Sequence, residues 1–141
     1  MLRSLVLLLG LGLLPFVSAT MKDCSSANTI GHITNLYMDP MSPVAGANVV
    51  VTVDFTLGAP VTAGTVKYEI SFNGFPLAPT VNDLCTDLEG STSPCPLPTG
   101  PSEYMTSLQM GDTTTHGTLA GKATWSTEIQ EILCWEFAVR I

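Results

Sequence analysis

The chain has 141 residues with 5 basic and 12 acidic side chains, 45% hydrophobic residues and only 12% charged ones. That length suits one domain with a real core and excludes two. A net charge of −7, with no cluster of basic residues, excludes a nucleic-acid partner and repels anionic bilayers at neutral pH.

Residues 1–19 read as a secretory leader. Arg3 supplies the positive start, Leu5 to Phe16 the apolar run, and Val17-Ser18-Ala19 a small-residue cleavage site. The run is shorter than the roughly 20 apolar residues that span a bilayer. The expected mature domain, residues 20–141, carries twelve acids against Lys22, Lys67, Lys122 and Arg140, a net charge of −8. No asparagine lies in Asn-x-Ser/Thr, so N-glycosylation is not expected.

Beyond the leader the chain lacks a helical period and reads as short alternating runs between Gly, Pro, Asn and Asp, the pattern of an antiparallel sandwich. A weak strand is expected around Ile33 to Met38. Val49, Val51, Val53, Phe55 and Leu57 form one face of the next, with Asp54 turned to water. Val66, Tyr68, Ile70 and Phe72 alternate with Thr65, Lys67, Glu69 and Ser71. Asn73-Gly74 ends that strand, and Pro76 and Pro79 keep the following segment out of a central ladder. Residues 80–103 are the least regular. Tyr104, Thr106, Leu108 and Met110 resume the alternation before a polar turn at Gly111 to Gly117. Leu119, Gly121, Ala123 and Trp125 share one face, and Leu133, Trp135, Phe137, Val139 and Ile141 line the last strand. About seven strands are expected, with no internal repeat.

Four cysteines permit three pairings. Spacing favours a short loop between Cys85 and Cys95, leaving Cys24 and Cys134 to clip the two ends of the domain together. The loop-entropy model gives the long clip about 4–5 kcal/mol and the short loop somewhat under 3 kcal/mol. The spacings lack Cys-x2-Cys, and secreted cysteines normally oxidise, so no zinc site is expected.

Other chemistry is sparse. Ser102, His116 and Asp112 offer the residue types of a hydrolase, but no Gly-x-Ser-x-Gly elbow accompanies them, and the chain is read as a non-enzyme. His32 and His116 are isolated. Asp83, Asp87 and Glu89 do not have EF-hand spacing and read as a solvated acidic loop. No cofactor or metal is expected.

Lys22-Asp23-Cys24-Ser25, Val53-Asp54-Phe55-Thr56, Gly74-Phe75-Pro76-Leu77, Cys95-Pro96-Leu97 and Cys134-Trp135-Glu136-Phe137 together resemble the ML (lipid-recognition) domain family. This family includes the Niemann–Pick type C soluble sterol carrier, phosphatidylglycerol/phosphatidylinositol transfer proteins and group 2 mite allergens. The resemblance implies an all-β, immunoglobulin-like sandwich of two antiparallel sheets with a hydrophobic cavity between them. It also implies a bond between the first and last cysteines. Leu77, Met110, Trp125 and Trp135 match pocket positions of the family. With the inward sets read from alternation, the expected lipid-binding residues are Phe55, Tyr68, Ile70, Phe72, Leu77, Leu108, Met110, Trp125, Trp135 and Phe137. Gly121 and Ala123 are expected to leave space between the sheets, and Tyr104, Thr113 to Thr115 and His116 to form a rim.

The implied function is binding and transfer of a sterol or phospholipid between membranes by a secreted monomer, through transient membrane contact. Its destination is outside the cell or the lumen of an endosome, lysosome or vacuole, with a membrane sterol transporter as a candidate partner. The alternative is an ML-type recognition or adhesion module without lipid turnover.

Overall fold

The computed structural model describes residues 19–141. Nine strands and one short helix follow one another: β1 (Thr20–Asp23), β2 (Gly31–Asp39), β3 (Asn48–Leu57), β4 (Thr65–Phe72), β5 (Phe75–Pro76), β6 (Thr80–Asp83), α1 (Leu84–Asp87), β7 (Gly100–Gln109), β8 (Thr118–Ser126) and β9 (Glu131–Arg140). The larger sheet runs β1-β9-β8-β4-β5, with β6 also paired to β4, and the smaller runs β2-β3-β7. Every named pair is antiparallel. The strands beyond the expected seven are short pieces at the margins. Residues 1–18 of the expected leader lie outside the described residues; Ala19 is buried, its N–H donating to the Met41 carbonyl at 2.7 Å.

Alternation sets the faces. Val49, Val51, Val53, Phe55 and Leu57 of β3 are buried, while Asp54 is only partly covered. Thr52 breaks the simple pattern, buried on the outer face of the smaller sheet between its register partners Tyr37 and Met105. Asn73 and Gly74 take φ of 50° and 80°, the left-handed pair that a two-residue hairpin turn requires, and this turn joins β4 to β5. Pro76 sits on that two-residue edge strand, where a missing N–H costs no central ladder bond.

The two ends of the sandwich differ. At the end where β3 finishes and β7 begins, hereafter the lower end, Val61, Leu84, Leu88, Leu97, Ile132 and Leu133 are fully buried. Asp83 caps α1 by accepting from the Thr86 N–H at 2.8 Å, which turns Leu84 and Leu88 together into this core. Trp125 stands above them, edge-on to Phe55 and Tyr104 with ring centroids 5.7 and 5.1 Å away. Cys24 is bonded to Cys134 and Cys85 to Cys95.

Candidate functional site

The sheets are held together asymmetrically. On one side β1 and β9 approach β2, and the Cys24–Cys134 bond ties the segment after β1 to β9. On the other side β4 faces β7 without a shared ladder. A strap crosses this side near the lower end. Helix α1 packs on β4, and the loop after it carries Thr92 and Ser93, whose hydroxyls both donate to the Glu103 carbonyl of β7, that of Thr92 at 2.8 Å. The Cys85–Cys95 bond closes the strap on itself.

Above the strap lies an inter-sheet hollow of about 80 Å³, lined by Tyr68, Ile70, Thr106, Leu108, Ala123, Trp135 and Phe137, with Lys122 at its margin. Five of the ten expected lipid-binding residues, Tyr68, Ile70, Leu108, Trp135 and Phe137, therefore converge. Phe55 and Trp125 belong instead to the packed aromatic cluster, and Met110 is fully buried beside the β2–β3 loop, exchanging backbone hydrogen bonds with Gly46 and Ala47. Phe72 lies next to Gly117, away from the hollow. The expectation for Leu77 is corrected: it lies on the outer face of the larger sheet, over half exposed. The β4–β5 turn and Pro76 return the chain along β4, so Leu77 covers the side bearing Glu69 and Ser71.

Gly121 does not leave empty space. A Cβ there would meet Cε1 of Phe137 at 2.4 Å and Cδ1 of Ile70 at 2.9 Å, so the Phe137 ring already fills the room that the missing methyl provides. Tyr104, expected at the rim, is buried against Trp125. Thr113 to Thr115 form a tight exposed turn in which Asp112 accepts from the Thr114 N–H at 2.8 Å and from both the Thr114 and Thr115 hydroxyls. These bonds, led by that of the Thr114 hydroxyl, hold the Asp112 carboxyl below the usual range.

The hollow's polar boundary is Tyr68. Its hydroxyl donates to Asp87 at 2.8 Å, and Asp87 also accepts from the Asn82 amide at 3.1 Å. Burial, then the bond to Asp87, pushes the Tyr68 phenol far above its ordinary value. Asp83 and Asp87 are thus occupied by capping and bracing, and among the described residues no group of three His, Cys, Asp or Glu is placed to hold a metal ion. Ser102 lies near the start of β7, while Asp112 and His116 follow its far end. At about 3.3 Å per strand residue this separates them by roughly 20 Å, too far for a relay.

Two larger depressions lie elsewhere. One of about 700 Å³ runs along the outer face of the larger sheet over Ser71, Ala120 and Ala138, with Lys22, Glu69, Lys122 and Glu136 around it. The other, about 670 Å³, lies among the lower-end loops at Ile30, Pro60 to Thr65 and Ser126 to Gln130. Both are open to solvent, and the first is ringed by four charges. Neither offers the enclosed apolar walls of a lipid site.

Comparison with known proteins agrees with this architecture. A Niemann-Pick type C2 protein from Japanese carpenter ant superposes with a TM-score of 0.62 at 19% identity, covering 86% of this chain and 98% of that one. The C-terminal domain of wzt superposes at 0.54 with 11% identity, covering 90% and 78%. Both likenesses concern the fold. A Dictyostelium discoideum relative named "Putative phosphatidylglycerol/phosphatidylinositol transfer protein 3" is 29% identical over 86 residues, 61% of this chain and 55% of its own length. A second protein of that kind of name from the same organism is 28% identical over 115 residues, 78% of this chain and 76% of its own. The family model described as the ML domain matches residues 18–141, nearly the whole chain, and the chain therefore belongs to the ML domain family.

Proposed function

We propose that this protein is a secreted carrier that binds a sterol or phospholipid between its two sheets and transfers it between membranes. The observation that carries the reading is the mainly apolar hollow above the strap on the β4/β7 side, lined by Ile70, Leu108, Ala123, Trp135 and Phe137 with Tyr68 and Thr106. Its volume of about 80 Å³ is well below the roughly 300–1,000 Å³ of sites that hold small ligands, so loading requires the sheets to part. The β1/β2 side serves as the hinge. The strap limits movement to the upper half, between Ile70 and Phe72 on one lip and Thr106 and Leu108 on the other.

Burial alone provides enough free energy. A lipid that buries about 500 Å² of apolar surface gains roughly 12 kcal/mol at about 25 cal/mol/Å². Association and ordering remove several of these. No catalytic step is invoked.

The upper end suits contact with a bilayer. The β2–β3 loop exposes Met41 and Val44, and β5, just past the β4–β5 turn, exposes Phe75. The loop between β7 and β8 joins them: Thr113 abuts Gly46, and Thr118 exchanges hydrogen bonds with Asn73. Secretion to the outside, or to an endosomal, lysosomal or vacuolar lumen, accords with both disulfides. A membrane sterol transporter is a candidate acceptor, and the carrier acts as a monomer.

The small hollow favours a second reading, an ML-type recognition or adhesion module without lipid turnover. Organic extraction and mass spectrometry of protein purified from its native host separate the two. Stoichiometric lipid is expected; protein that is empty, and that neither binds nor transfers vesicle lipids, overturns the carrier.

A further inference from the structure

Trp135 is almost fully buried, lines the inter-sheet hollow, and its indole Nε1–H has no acceptor among the described residues. It is the single buried side-chain donor or acceptor left in this condition among them. An unpaired buried donor is rare in native proteins and costs the full desolvation of the group. The fold offers it no local remedy. Trp135 sits in the middle of β9, in register with Ala123 of β8 on one side and Asp23 of β1 on the other, so neighbouring carbonyls are engaged in ladders. The Tyr68 hydroxyl, a polar group of the same hollow wall, is committed to Asp87.

Resting on the carrier reading above, we infer that the Trp135 indole N–H is the polar anchor of the bound lipid and donates to an oxygen carried at the edge of its hydrocarbon. An acyl-ester carbonyl or a sterol hydroxyl supplies such an acceptor. The remaining walls, Ile70, Leu108, Ala123 and Phe137 with Thr106 among them, are mainly apolar and take the hydrocarbon without regard to its identity. Selection between lipids of similar bulk then rests on where the oxygen lies relative to Trp135. A neutral hydrogen bond to a donor that otherwise stays unpaired corresponds to about tenfold in affinity.

The test replaces Trp135 with 3-(benzothienyl)alanine, which keeps the bicyclic shape and lacks the N–H. Four probes are compared: dioleoyl phosphatidylglycerol, its diether analogue, cholesterol and 5α-cholestane. The intact protein is also labelled with ¹⁵N, so that the two tryptophans give two indole resonances. If the ester carbonyl is the acceptor, the replacement weakens phosphatidylglycerol binding about tenfold and leaves the diether unchanged. If the hydroxyl is, cholesterol is weakened and cholestane is not. In either case the Trp135 indole proton moves downfield and exchanges more slowly on loading. The empty variant is at least as stable as the parent, because the unpaired donor is gone. Equal affinities for all four probes before and after replacement, with an unmoved indole resonance, overturn the anchor while the carrier stands. Failure of the unaltered protein to bind any probe overturns both.

Discussion

At Gly121 the ring of Phe137 lies where a side chain would begin, its Cε1 2.4 Å from an added methyl. Gly121→Ala must therefore push Phe137 and Ile70 further into the hollow they line. Overpacking of this kind costs about 1–3 kcal/mol. Chemical denaturation should show that loss, together with weaker uptake of a fluorescent lipid, whereas Ala120→Ser on the opposite face should change neither. Tyr68 makes a different prediction. Its phenol is raised in the folded state by burial and by donation to Asp87, so its contribution to stability is complete below the unfolded value near 10 and is lost as pH rises toward the folded value. Absorbance at 295 nm should show the Tyr68 phenol still protonated at pH 11 while the protein stays folded, and Tyr68→Phe should remove that protected signal. Tyr68→Phe should flatten stability against pH in the alkaline range and cost about 1 kcal/mol at pH 7. Asp112 works the other way. Its stabilising effect is present above the unfolded value and fades as pH falls through its lower folded one, so its turn is insensitive to pH between about 5 and 8.

Among the elements, the strap from α1 through Cys95 governs how far β4 and β7 separate. Replacing Cys85 and Cys95 together by alanine should lower stability by somewhat under 3 kcal/mol on the loop-entropy model. It should also speed lipid exchange, because Thr92 and Ser93 then hold Glu103 without covalent backing. Hydrogen exchange localised to the lower half of β7 would report the loosening; protection equal to the parent would deny the strap its role. This element is also where the sequence was hardest to read. The alternation of β3, β4 and β9 is legible because one face of each meets the core and the other meets water. β5 and β6 are two and four residues long, too short to show a period, and α1 betrays itself only by Asp83 with Leu84 and Leu88 four apart. The same limit applies to the site. Alternation tells that Phe55 and Ile70 both point inward, but not that one meets Trp125 and the other borders a void. Sheet separation decides that, and it depends on residues far apart in sequence. Leu77 escaped because its facing is set by the direction of a turn.

For the whole molecule, Asp83, Asp87, Glu89, Glu103, Glu128 and Glu131 gather toward the lower end, whereas the upper end exposes Met41, Val44 and Phe75 with two acids, Asp39 and Asp112, beside them. With twelve acids against four bases in residues 19–141, repulsion from anionic vesicles falls as acidification reduces the net negative charge. Transfer between anionic vesicles should be faster at pH 5 than at pH 7.5, with the gap shrinking in high salt. Equal rates in low salt would contradict this. Val44→Asp with Phe75→Asp should slow transfer at either pH and leave equilibrium binding of soluble lipid unchanged, since neither residue lines the hollow.

Among the described residues β7 pairs with β3 alone, and Thr92 and Ser93 cover its outer margin at Glu103. Its far half, Met105 to Gln109, consequently presents free backbone donors and acceptors beside the mouth, the sort of template on which foreign strands add and fibres grow. A guest wedged between the lips would shield that template, so cargo and solubility become linked. Delipidated protein should scatter light sooner on concentration than loaded protein does.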